Sequence, residues 1–345
     1  MQIPDMMKAV HFLGNGGISV DEVPVPQPQG EMVLIKIEAA AICGTDRENL
    51  EAKGQSTIPG HESAGQVVAV DGAKRVRVGD RVAVNCHITC GSCPHCLRGD
   101  LYFCRELKIV GFDIDGGFAE YALIPEGCLM HLPDDISFEV GALLVDMLGT
   151  GYRGVKRSQP ATRQRAGIWG AGPVGLSALL TAKAFGQRAL VVDFNKFRLD
   201  MARQLGADLI LTPDDDELDR KVLDWTGGEG LDVVYECVGE ENAVQQGLSQ
   251  LKLRGVLGVI GVSESLTLDP WEQLICEEAT IYGSRCFVVP EYDEMIALVR
   301  SGLPVTDIVT HRFSIHEAKR GFEVYRGGQC GKIVFIGGNG KEEMP

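Results

Sequence analysis

The sequence predicts an α/β protein in two modules, a mostly β module and a doubly wound parallel sheet, and three observations carry that prediction. Residues 7–125 read as short β-type runs, among them 32–39 and 66–70, parted by Gly, Pro and Asp turns. From residue 166 strand and helix patterns alternate: strand 166–169, helix 174–185, strand 189–193 and helix 196–205, with further apolar strands at 232–237, 256–260 and 280–284. The last stretch is mixed again, with a helical pattern at 291–301 and an apolar run at 332–336 that would return to the first module. Expected boundaries are 1–154 with 290–345 for the β module, and 155–289 for the parallel sheet. A cysteine-rich lobe falls at 86–106, and Met1–Met6 is expected to be a loosely held extension. At 345 residues, two domains are the ordinary expectation.

Composition narrows the function classes. Hydrophobic residues make up 45% of the chain and charged residues 23%, which is globular usage, and the 43 glycines follow no period, so they mark turns and close backbone approaches. A formal charge of −15, without a basic stripe, argues against nucleic acid as a partner. No basic-then-apolar leader opens the chain, and no apolar run approaches the ~20 residues that span a bilayer, so a cytoplasmic protein without membrane contact is expected. Eleven cysteines is an odd number, and metal binding in a reducing compartment explains their crowding better than disulfides do. Cys237 and Cys286, in apolar strand-like runs, are expected to be buried inert thiols.

Cys90-Gly-Ser-Cys93-Pro-His-Cys96, followed by Cys104, has the spacing C-x2-C-x2-C-x7-C. Four thiolates so spaced converge on one zinc ion, and with every position taken by sulfur the metal is structural. An iron–sulfur centre is the chemical rival, and His95 reads as a solvated loop residue. Cys43 and His61, each beside a turn, are a second pair of candidate ligands, one soft and one borderline.

Gly170-Ala171-Gly172-Pro173-Val174-Gly175 has the form G-x-G-x-x-G. It closes a strand and opens a helix, so backbone N–H groups and the helix dipole can receive a pyrophosphate. Asp193, about twenty residues on, ends the next strand, where its carboxylate accepts ribose hydroxyls and repels a 2′-phosphate. NAD is therefore expected as cofactor, with Lys196 and Arg198 nearby as the groups that would suit NADP, and Arg198 is included among the cofactor-binding residues.

In order along the chain, Cys43-Gly-Thr-Asp46, Gly60-His-Glu62, Val78-Gly-Asp-Arg-Val82, the four-cysteine lobe and Gly116-Gly-Phe-Ala-Glu-Tyr121 resemble the zinc-containing medium-chain alcohol and polyol dehydrogenases. The resemblance implies a GroES-like catalytic domain interrupted by a Rossmann domain, with two zinc ions per chain. Cys43 and His61 would be catalytic-zinc ligands, and Glu62 would lie just outside the ligand shell or join it. A third ligand would come from the apolar run before Tyr152, where Asp146 is the ionisable group; a buried carboxylate needs a metal or a hydrogen-bonded partner, and capping the following helix is its alternative use. Thr45 matches the hydroxyl that receives the alcohol proton in this family. Many relatives carry His five residues after the first cysteine, whereas this chain has Glu48; Arg47-Glu48 is similar to sugar-oxidising glucose dehydrogenases and favours a polyhydroxylated substrate over threonine, the alternative being a solvated pair with no role in the site.

The reaction expected is hydride transfer between nicotinamide and a secondary alcohol, polyol or sugar hydroxyl, since zinc lowers the pKa of an oxygen ligand from 15.7 to about 7. Two rivals are a zinc-free NADPH quinone or enone reductase of the same superfamily and a non-catalytic zinc-ribbon binding protein. The resemblance also implies a homotetramer or dimer, joined through edge strands of the parallel sheets.

Overall fold

The computed structural model describes residues 2–52, 54–262 and 265–337 and divides into two compact units. The first takes the chain up to Asp146, Val288–Tyr292 and the residues from Val309 on; the second takes Met147–Phe287 and Asp293–Ile308. Residues 1 and 338–345, at the ends of the expected modules, lie outside the described residues.

The first unit opens with an antiparallel hairpin, Met6–Gly14 against Gly17–Pro24, whose turn residues Asn15 (φ 48°) and Gly16 (φ 75°) both take the positive φ that a two-residue hairpin turn requires. Of the expected loose extension Met1–Met6, Met1 lies outside the described residues, whereas its end is held: the Asp5 carbonyl accepts Val25 N–H at 3.0 Å, and Met6 belongs to a strand.

The main sheet of this unit is organised by Met32–Ala41. One edge pairs with Glu62–Val70 over its length; the other takes Tyr121–Pro125 and then Lys332–Ile336. Flanked on both edges, this strand buries Val33, Leu34, Ile35 and Ala39–Ala41 almost fully. Arg81–Val84 and Leu129–His131 extend one side, and Val309–Phe313 runs parallel to Lys332–Ile336 on the other through helix Ala318–Gly327. Four phenylalanines from distant segments meet in the core. Phe322 lies 5.3 Å from Phe12, 5.8 Å from Phe118 and 5.9 Å from Phe335, centroid to centroid, mostly in edge-to-face geometry.

The second unit is a six-stranded, all-parallel sheet in the order Leu209–Leu211, Arg188–Val192, Arg165–Trp169, Leu231–Glu236, Leu251–Val259, Thr280–Gly283. In chain order this is 3-2-1-4-5-6, the doubly wound arrangement, with its switch point between Arg165–Trp169 and Leu231–Glu236. Helix Pro173–Ala184 is buried from Gly175 to Ala182, as its apolar composition on every face requires. It touches helix Gly149–Arg157 at Gly151, where a side chain would overlap Ser177 Oγ. Cys286 lies outside any strand, at φ 49°, and Cys237 follows the end of one; both are only partly buried, so the expectation of two core-strand thiols is corrected.

Truncation of Phe322 tests the core. Phe322→Ala is expected to cost about 3–5 kcal/mol, read as a lowered thermal or denaturant midpoint at constant zinc; an unchanged midpoint would show that the aromatic cluster contributes nothing to cohesion.

Candidate metal centre and dinucleotide site

The catalytic candidates are carried on the ends of the first unit's strands. Cys43 follows Met32–Ala41, and its N–H donates to Asp46 Oδ2 at 2.9 Å, which turns the chain into the short helix Asp46–Glu51. His61 precedes Glu62–Val70. Gly60 before it has φ 100°, and the Gly60 carbonyl accepts Gly117 N–H at 2.7 Å, while a Cβ on Gly116 would overlap that same carbonyl. The Gly-His-Glu and Gly-Gly-Phe motifs are thus two sides of one backbone contact, and it fixes His61.

Asp146 reaches the same place from a helix. Between Phe138–Leu143 and Gly149–Arg157 the chain makes a π-helical turn, Leu144–Leu148, and the extra residue of such a turn redirects its side chains. Glu139, in the first of these helices, is held by Arg312 in a bidentate pair of 2.6 and 2.8 Å.

Ligand atoms of Cys43, His61, Glu62 and Asp146 all lie within 4.8 Å of one another. Cys43 Sγ is 3.3 Å from Asp146 Oδ2, which is also 3.3 Å from His61 Nε2. Thr45 Oγ1 stands 3.4 Å from the sulfur and 3.3 Å from His61 Nε2. The other imidazole nitrogen, Nδ1, lies 3.4 Å from Asp46 Oδ1, near enough for charge attraction though not aligned as a hydrogen bond. Nε2 is therefore the nitrogen available to a metal, with Nδ1–H turned towards a carboxylate, the usual second partner of a metal-bound histidine. Glu62 is sealed from solvent; Lys332 Nζ donates to its Oε1 at 2.6 Å, and its Oε2 has no hydrogen-bond partner.

Burial pushes the Cys43 thiol up, aided by Asp146, and pushes Glu62 up to about 8 against the pull of Lys332. Burial pulls His61 down, but Asp46 and Cys43 outweigh it and hold the imidazole well above its ordinary range. Asp146, in spite of burial, is held well below the carboxylate range by His61. A divalent cation reverses the logic for Cys43 and Glu62, because it supplies the charge their ionised forms lack. The donor set of one sulfur, one nitrogen and carboxylate oxygen, with an orphaned Glu62 oxygen beside it, fits zinc.

The four-cysteine lobe closes as the spacing requires. Ligand atoms of Cys90, Cys93, Cys96 and Cys104 lie within 4.8 Å of one another, with Cys93–Cys96 and Cys90–Cys96 sulfurs 3.4 and 3.9 Å apart. Tetrahedral zinc with Zn–S near 2.3 Å separates its sulfurs by roughly 3.8 Å, so the lobe fits that ion too. Backbone N–H groups of Ser92 and Cys93 lower the Cys90 thiol to about 6, which favours the thiolate ligand. His95 stays outside the cluster, against Arg98 and Phe103.

In the second unit the glycine turn follows strand Arg165–Trp169. Gly170 has φ 93°, a Cβ on Gly175 would overlap the Gly170 carbonyl, and Gly172 opens helix Pro173–Ala184 with only Arg198 Nη1, at 3.8 Å, near its missing side chain. Pro173 and Val174 form the first helical residues, so the turn leaves an open face at the positive end of a twelve-residue helix. Asp193 accepts Ala171 N–H at 2.6 Å and Asn195 N–H at 2.7 Å, linking the turn to the next strand's end. This cradle fits a pyrophosphate.

Two groups escaped the sequence reading. Asp46 was visible in the Cys-Gly-Thr-Asp string, but its buried carboxylate behind His61 was not. Lys332 had one signal, a lysine opening an otherwise apolar final strand. Glu48 and Arg47 are exposed on the helix after Thr45 and touch none of the four metal-site residues through any bond described.

The alcohol dehydrogenase GroES-like domain family matches residues 29–134, and the zinc-binding dehydrogenase family matches residues 173–301. The L-threonine 3-dehydrogenase of Francisella tularensis subsp. novicida (strain U112) is 36% identical over 335 residues, covering 91% of this chain and 94% of the relative. That of Yersinia enterocolitica (strain NCTC 13174 / 8081) is 36% identical, covering 95% and 99%. Among solved structures, an alcohol dehydrogenase from Thermus sp. ATN1 superposes with a TM-score of 0.88 at 29% identity, over 96% of this chain and 99% of that one. With both halves matched and relatives aligned almost end to end, the chain belongs to the zinc-dependent medium-chain dehydrogenases, enzymes that move hydride between a CH–OH group and NAD(P).

Proposed function

We propose that this enzyme uses two zinc ions per chain and NAD to oxidise a secondary alcohol, polyol or sugar hydroxyl. The observation that carries the reading is the convergence of Cys43, His61 and Asp146 beside Glu62 and Thr45. Zinc bound there would acidify the alcohol, and the oxidised nicotinamide would accept its hydride. Cys43, His61 and Asp146 hold the metal. Asp46, 3.4 Å from Nδ1, attracts the imidazole by charge. Thr45 Oγ1, beside Cys43 and His61, accepts the alcohol's proton while handing its own hydroxyl proton to solvent, to which it is exposed. Lys332 balances Glu62, which stays just outside the ligand set in the resting enzyme. The four-cysteine lobe holds the second zinc as a structural ion. Membership of a zinc-dependent dehydrogenase family sets aside both the zinc-free quinone reductase and the non-catalytic zinc-ribbon protein.

Asp193 supports NAD over NADP: a 2′-phosphate would meet a carboxylate already fixed by two backbone N–H groups, so it cannot turn away cheaply. Arg198 lies beside the turn and is offered to the pyrophosphate. Arg47 and Glu48, exposed next to Thr45, supply hydrogen bonds to further hydroxyls and favour a polyhydroxylated substrate. L-Threonine, the substrate in the relatives' names, is itself a secondary alcohol and belongs in the same test. A reducing, cytoplasmic setting accords with eleven cysteines, none in a disulfide, and no helix among the described residues is long and apolar enough to cross a membrane. A homo-oligomer, tetramer or dimer, is supported by the edge strand Thr280–Gly283, with Leu253, Trp271 and Ile275 each at least 60% exposed in the same unit.

The reading is tested by NADH absorbance with a panel of alcohols, polyols, aldoses and L-threonine; inertness of the whole panel in zinc-replete enzyme would sink it. Elemental analysis should give two zinc ions per chain, with Cys43→Ser losing one together with activity, and Cys90→Ser losing the other together with thermal stability. Asp193→Ala should narrow the preference for NAD over NADP by about tenfold or more; an unchanged ratio would remove Asp193 from coenzyme choice. Trp271→Asp should shift sedimentation towards a smaller species, and an unaltered profile would place the interface elsewhere.

A further inference from the structure

At the switch point of the parallel sheet stands a carboxylate that neither the metal sites nor the glycine turn uses. Glu236, the last residue of strand Leu231–Glu236, is fully buried. Its Oε1 accepts Val238 N–H at 2.6 Å and Gly239 N–H at 2.8 Å, and its main-chain carbonyl accepts Ile260 N–H at 2.8 Å and Gly261 N–H at 3.0 Å. One residue therefore ties together the loops that leave two neighbouring strands at their carboxyl ends. Its second carboxyl oxygen, Oε2, is buried without a partner, and burial raises the group's pKa. Retaining a carboxyl here costs free energy that core packing alone does not explain.

The loop so held, Cys237–Gly239, faces the glycine turn. A Cβ built on Gly170 would come within 2.8 Å of Val238 Cγ2, and one on Gly175 within 3.6 Å of Cys237 Cβ. Val238 nevertheless remains 47% exposed, an apolar side chain standing open beside the phosphate-binding turn. In open parallel sheets ligands bind outside the carboxyl ends of the strands at the switch point. The turn is one wall of that crevice and Cys237–Gly239 is the other.

We propose that Glu236 is a positioning residue for the dinucleotide: by fixing Val238 and Gly239 through their N–H groups, it holds the second wall at the spacing the bound cofactor needs. The proposal rests on the dinucleotide reading of the glycine turn. Glu236 does not touch the cofactor; it acts through the loop. Shortening it frees two N–H groups and lets the wall move, so affinity for the dinucleotide falls while metal chemistry is untouched.

The test is NADH binding to the zinc-loaded enzyme, followed by fluorescence, beside steady-state kinetics. Glu236→Ala should raise the NADH dissociation constant and KM for NAD about tenfold, with kcat at saturating NAD, alcohol KM and zinc content near wild type. Glu236→Gln keeps an acceptor oxygen for both N–H groups and should return binding to within about threefold of wild type. Should Glu236→Ala fail to fold, Glu236→Asp, whose carboxylate is one methylene short of the loop, carries the same expectation. A truncated variant that folds and binds NADH as wild type does, or a fall in kcat with no change in NADH binding, overturns the proposal and leaves the dinucleotide site standing. Wild-type enzyme that binds no NADH overturns both.

Discussion

An ammonium buried against a carboxylate, 270 residues apart in sequence, is the contact on which the catalytic half of the molecule depends. Lys332 is 2% exposed and Glu62 not at all, so neither charge has water to fall back on, and removing either partner strands the other at a cost of several kcal/mol. The pair also sets register. Lys332 opens the strand that lies beside Met32–Ala41, and a slip by one residue would turn the ammonium away from Glu62 and move an apolar side chain into its place. The final strand is thereby keyed to the segment that carries His61, and the chain's end is built into the site begun by its first fifty residues.

Around this pair the site gathers more acid than base. Asp46, Glu62, Asp146 and Cys43 face His61 and Lys332, and the protein meets the imbalance by raising the pKa of Cys43 and Glu62 and by sharing Asp146 between a sulfur and an imidazole. In the four-cysteine lobe backbone N–H groups favour thiolate at Cys90, while burial pushes the Cys96 thiol up to about 11. One cluster is surrounded by buried charge and has the Thr45 hydroxyl beside Cys43 and His61; the other presents four sulfurs.

What the sequence disclosed, and what it withheld, follows from how local each constraint is. The four-cysteine lobe and the G-x-G-x-x-G turn are short-range structures, set by ring closure over a few residues, so spacing alone revealed them. The parallel sheet was legible because its central strands, Arg165–Trp169, Arg188–Val192 and Leu231–Glu236, are largely buried and alternate with helices. The convergence of Cys43, His61 and Asp146 was legible only through the order of motifs along the chain, since it depends on a sheet that joins residues a hundred positions apart. Asp46 and Lys332 act through burial, which no local pattern reports. The π-helical turn at Leu144–Leu148 was equally hidden: a single extra residue in an apolar helix leaves the hydrophobic periodicity almost unchanged, yet it decides where Asp146 points. Cys286 shows the opposite error, since an apolar run read as a strand proved to be a loop with positive φ.

The same contrast bears on substrate choice. Cys43 and His61 stand at the ends of long, paired strands, where backbone hydrogen bonds and the Gly60–Gly116 contact leave them little freedom, and Asp146 is held in a π-helical turn. Arg47 and Glu48 stand on a six-residue helix, exposed and free of the sheet's register. A substitution at the first kind of position disturbs the packed sheet, whereas one at the second costs little stability. Relatives that share about a third of their residues with this chain can therefore keep one catalytic frame while differing in the alcohol they oxidise.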